Sequence, residues 1–79
     1  MSPTQIALLK AAINAERAYL RSVLDGAPNP DLRGVEISSI TGFRWRTAEA
    51  LVQLGVAEIV HDGRHNQLYL GSYDPTKEL

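Results

Sequence analysis

The sequence predicts a small α+β domain in which three helices are followed by a β-hairpin. Three observations predict it. Residues 3 to 24 follow a helical period, with a start signal at Ser2-Pro3 and a stop at Asp25-Gly26. A tight turn at Thr41-Gly42 leads into a second helical pattern, Arg44 to Leu54, which Gly55 closes. Two short apolar runs then flank Asp62-Gly63, a dipeptide that favours a two-residue hairpin loop.

In the first helix, Ile6, Leu9, Ile13, Leu20 and Leu24 fall on one stripe, and Leu8, Ala12, Ala15 and Tyr19 on a second beside it. Ser2 is an N-cap with Pro3 in the first helical position, and Gly26 suits the residue just past the end. Alanines at 7, 11, 12, 15 and 18 favour helix strongly. At about 1.5 Å per residue the helix spans roughly 30 Å, long for so short a chain. Its two-striped face leaves apolar surface over, so a homodimer through helix 3–24 is expected.

Residues 27 to 34 contain Pro28, Pro30 and Gly34 and read as an ordered loop. Val35 to Ile40 is ambiguous. Val35 and Ile37 alternate with Glu36 and Ser38 as in a short strand, while Ile37, Ile40 and Phe43 also suit a short helix. The helix, from about Glu36 to Thr41, is the preferred reading. In the helix Arg44 to Leu54, Trp45, Ala48 and Val52 line up at helical spacing with Leu51 and Leu54 beside them. These are expected to face the core, with Trp45 as the buried anchor and a stacking or partner-binding role as its rival. Arg46, Glu49, Ala50 and Gln53 point away.

The hairpin is expected at Val56–His61 and Arg64–Leu70. With Asp62-Gly63 as the loop, His61 opposes Arg64, Ile59 opposes Asn66 and Ala57 opposes Leu68. Opposed residues share a face. Ala57, Ile59, Leu68 and Leu70 then make an apolar side, and Glu58, Val60, His65, Gln67 and Tyr69 the other. Residues 72 to 79 are polar and patternless, so the domain is expected over 1–71 with a loose tail at 72–79.

Length and charge bound the function. A chain of 79 residues buries only roughly 60–65% of its unfolded surface, which leaves little room for an active-site cavity. No serine, histidine and acid grouping has catalytic spacing and no glycine-rich phosphate loop appears, so neither an enzyme nor a cofactor is expected. There are no cysteines, no signal peptide and no apolar run near the ~20 residues that span a bilayer, so a cytoplasmic protein without membrane contact is expected. His61, Asp62 and His65 surround the hairpin turn, but the two histidines fall on opposite faces and a third ligand is missing, so no metal site is expected.

The order of elements resembles the winged helix-turn-helix family. The resemblance covers Ile6 to Leu70 and rests on Gly42 in the turn, Thr47 and Ala48 early in the next helix, Leu51 and Leu54 after them, and Gly55 before the hairpin. Residues 44 to 52 are also similar to a motif of small bacterial and phage-encoded proteins of that family. The chain departs from the pattern in its early Gly55, its bulky Trp45 and its short hairpin loop carrying Asp62. The resemblance implies a sequence-specific binder of double-stranded DNA and a regulator of transcription, with helix 44–54 as the recognition helix.

On that reading Arg44, Arg46 and Thr47 reach base edges or phosphates in the major groove, with Gln53 further along, and arginine forks onto guanine. Arg64 and His65 touch phosphate from the hairpin, and Ser38, Ser39 and Thr41 offer hydroxyl donors. The formal net charge of −1 runs against a phosphate-binding surface. From Asp31 to Arg64 four basic residues face five acidic ones, Glu49 among them on the exposed side of the helix. A protein-interaction module of the same fold is therefore the second expectation.

Overall fold

The computed structural model describes residues 1–38, 42–63 and 65–71, with Asp62 described in its backbone only. Over these residues the chain folds into two helices and a three-stranded antiparallel sheet. The order is α1 (Pro3–Leu24), a 3-10 turn (Pro30–Leu32), β1 (Val35–Glu36), α2 (Trp45–Gln53), β2 (Ala57–Asp62) and β3 (His65–Leu70).

The start of α1 is a reciprocal cap. The Ser2 hydroxyl accepts from the Gln5 N–H at 3.2 Å, and Gln5 Oε1 accepts from the Ser2 N–H at 3.1 Å. Two first-turn donors are thereby satisfied locally. The helix ends where Gly26 takes a left-handed φ of +81°. Leu8, Ala12 and Glu16, four residues apart, are its buried residues. Lys10, Asn14, Arg17 and Arg21 are exposed and fall on the opposite side.

The expectation of three helices with a hairpin is corrected here. The helix expected from Glu36 to Thr41 is absent from its described part. Val35 and Glu36 instead pair with Leu68 and Gln67 of β3. The Ile37 N–H donates to the Asn66 carbonyl at 2.9 Å, and Ser38 bridges Phe43 in antiparallel fashion. The physical reason is competition for backbone hydrogen bonds. Valine, isoleucine and serine form helix weakly, and β3 offered a ladder partner. The sheet order is β1-β3-β2, so β3, with the fully buried Leu68, runs through the middle.

The hairpin forms where expected, in a different register. Asp62 pairs with His65, Ile59 with Leu68 and Ala57 with Leu70. Asp62 is therefore a strand residue and not part of the loop, which begins at Gly63. Gly63 occupies the first loop position with φ +60°, the sign that tight hairpin turns require there. The pairing also sets apolar residues against each other, where the expected register opposed Ile59 to Asn66. A shift of two residues leaves the predicted faces unchanged.

The core gathers Leu8 and Ala12 of α1, Ile37, Ala48 and Leu51 of α2, Ala57 and Leu68, with Leu9, Val35, Phe43, Val56 and Ile59 packed against it. Trp45 is not among them. It is 45% exposed, and Val52 and Leu54 are exposed as well. Ala48 and Leu51 define the inward face of α2, and the indole stands a quarter turn away from it. The buried alanines of the two helices, Ala12 and Ala48, are small, which suits close helix packing better than an indole does.

Candidate nucleic-acid interface

The start of α2 brings three of the expected residues together. Arg44 is the N-cap, with extended φ and ψ of −85° and 162°, and it gives the helix no side-chain cap. An arginine has no acceptor with which to cap, unlike Ser2 of α1. Arg44 and Arg46 are exposed, and neither forms an ion pair among the described residues. Thr47 is half-buried, and its N–H makes a tight bond to the Arg44 carbonyl at 3.1 Å.

Trp45 stands between the two arginines. Its ring stacks on His61 of β2 with centroids 6.3 Å apart and planes 24° from parallel. His61 Nδ1 is in turn hydrogen-bonded to Asn66 Oδ1 across the hairpin. The sequence marked Trp45 as core, and its exposed position was the signal it did not give.

The other expected site residues lie elsewhere. Gln53 is exposed two turns along α2, on the side of Arg46, and lines an open groove of about 470 Å³ with Met1, Gln5, Ala50 and Leu54. His65 is exposed, and its Nδ1 lies 2.9 Å from Glu36 Oε1, so its imidazole is already engaged by a carboxylate. Arg64, Ser39 and Thr41 lie outside the described residues, as does the tail at 72–79. Glu49 is exposed one turn after Trp45, where it opposes an anion. Among the described residues no group of three histidine or acid side chains is placed to hold a metal, and no helix is long and apolar enough to cross a membrane.

One cationic surface escaped the sequence reading. Lys10, Arg17 and Arg21 share the outer side of α1, whose one acid, Glu16, points inward to Arg33 at 3.0 Å. The signal lies in the helical spacing of 10, 14, 17 and 21, on the side opposite the apolar stripes. The exposed large apolar residues of α1 sit at its ends, Ile6 near the start and Val23 and Leu24 at the finish.

Comparison with protein-family models, with curated proteins and with solved structures returned no match.

Proposed function

We propose that this chain binds double-stranded DNA sequence-specifically and regulates transcription, presenting the first turn of α2 to the major groove. The observation that carries the reading is the pair Arg44 and Arg46, exposed and without ion pairs among the described residues, at a helix start that has no side-chain cap. First-turn N–H groups without side-chain acceptors suit a phosphate oxygen, and the helix dipole adds to the attraction. The arginines supply charge for phosphates and forked donors for guanine. Thr47 supports the turn, and Gln53 lies on the same side further from the bases. Cations on the outer side of α1 offset part of the acidic balance.

Titration of a labelled duplex by fluorescence anisotropy at two salt concentrations tests this. Binding is expected to weaken steeply with salt, and Arg44→Ala with Arg46→Ala to lower affinity by about 10- to 100-fold. Absence of binding at low salt, or a double variant that binds as tightly as the parent, overturns it.

A second reading has its own observation. Met1 and Leu54 are exposed and, with Gln5, Ala50 and Gln53, line the groove between the start of α1 and the end of α2. Such a rim suits a protein partner or a second copy of the chain. Analytical ultracentrifugation at high micromolar concentration separates the two: a dimer supports the homodimer, and a monomer removes it.

A further inference from the structure

An exposed tryptophan flanked by two arginines, and backed by a histidine, has the parts of a base-stacking shelf. The indole is 45% exposed in a molecule with few aromatic residues. His61 lies against it, and Asn66 holds the imidazole through Nδ1. The indole therefore has a backing partner, while nearly half of its surface remains open. Arg44 and Arg46 are both exposed beside it. An aromatic face accepts any base, and cations on either side hold the phosphates that flank it.

We propose that Trp45 is a stacking platform for an unpaired nucleobase, so that the start of α2 binds single-stranded nucleic acid. A base inside a duplex is covered on both faces by its neighbours, whereas an unpaired base offers a face to the indole. Charge complementarity favours this occupant over an aromatic peptide. Glu49, one turn along, is the opposing charge, and Glu49→Gln is expected to tighten binding. The inference rests on the part of the proposed function in which Arg44 and Arg46 face phosphates, and adds an unpaired strand as a second form of nucleic acid that the same surface binds.

Trp45 is the chain's single tryptophan, so emission excited where its three tyrosines hardly absorb reports on this site alone. The full chain is titrated with a twelve-residue oligodeoxythymidylate, with an abasic strand of the same length and with a duplex. The thymidylate strand is expected to quench Trp45 emission and to bind at least about 5-fold tighter than the abasic strand, the lower end of stacking on an aromatic. Trp45→Ala, read by anisotropy, is expected to bind both strands equally, and Trp45→Phe to keep the preference. Circular dichroism of Trp45→Ala guards against a folding failure, and Trp45→Phe keeps the test open if that variant does not fold. Equal affinity for the two strands, or unchanged emission on binding, overturns the shelf and leaves the phosphate reading standing. Duplex binding without thymidylate binding also overturns the shelf alone. No binding of any strand at low salt overturns both.

Discussion

At the scale of single residues, Arg33 ties the molecule together. Its Nε donates to Glu16 Oε2 at 3.0 Å, and its guanidinium lies 5.5 Å from the Tyr19 ring centroid and 5.0 Å from that of Tyr69. One side chain thus joins α1, the loop and β3. The Glu16 side chain is 8% exposed and that of Arg33 39%, so removing either partner has unequal consequences. Arg33→Ala leaves a buried carboxylate without its counter-charge and loses both ring contacts. Its cost is expected below the ~3–5 kcal/mol of a fully buried pair, because solvent reaches Arg33. Glu16→Gln leaves Arg33 free to turn to water and costs less. Urea unfolding of both variants checks the order. Gly34 beside it has φ +88°, and a Cβ there would come 2.1 Å from Tyr69 Cε1. Gly34→Ala is expected to lose about 1–3 kcal/mol from the backbone alone, with more from the displaced ring, read as a lower Tm.

At the scale of elements, α1 and α2 differ in how they begin. Ser2 and Gln5 cap α1, and nothing comparable caps α2. Arg44→Asp supplies the missing acceptor and is expected to stabilise the fold by about 0.5–2 kcal/mol. For a domain of this size that raises Tm by several degrees. The same variant is expected to weaken duplex binding, because it replaces a cation by an anion at the groove. A rise in Tm with unchanged affinity would remove Arg44 from the interface. The limits of both helices were legible in the chain because caps and glycines act within a few residues. The faces of the hairpin were legible for the same reason, and its register was off by two because Gly63 takes the first loop position. β1 was legible only as the less favoured of two readings: the alternation at Val35 to Ser38 admits a strand, but what decides for it is that Leu68 and Gln67, over thirty positions away, lie beside it. The burial of Trp45 was misread because helical spacing puts it near Ala48 and Val52 but does not say how wide a stripe the core covers.

At the scale of the whole molecule, a net charge of −1 conceals an uneven layout. Helix α1 carries three basic residues against one acid, and the rest of the chain five against eight. Helix α2, where the winged helix-turn-helix resemblance places a recognition helix, holds its arginines exposed, although the described residues before the turn pair as a strand and not as the expected helix. The core that holds them in place is thin, with Leu8, Leu51 and Leu68 its largest fully buried side chains, in keeping with a stability of roughly 4–12 kcal/mol for a chain of this length. The central claim is that nucleic acid meets the start of α2. The most direct measurement is an NMR titration of the isotope-labelled chain with a short duplex at low salt. The account predicts the largest amide shifts from Arg44 to Ala48 together with the Trp45 indole. Shifts confined to the groove residues Met1, Gln5, Gln53 and Leu54, or none at all, would contradict it.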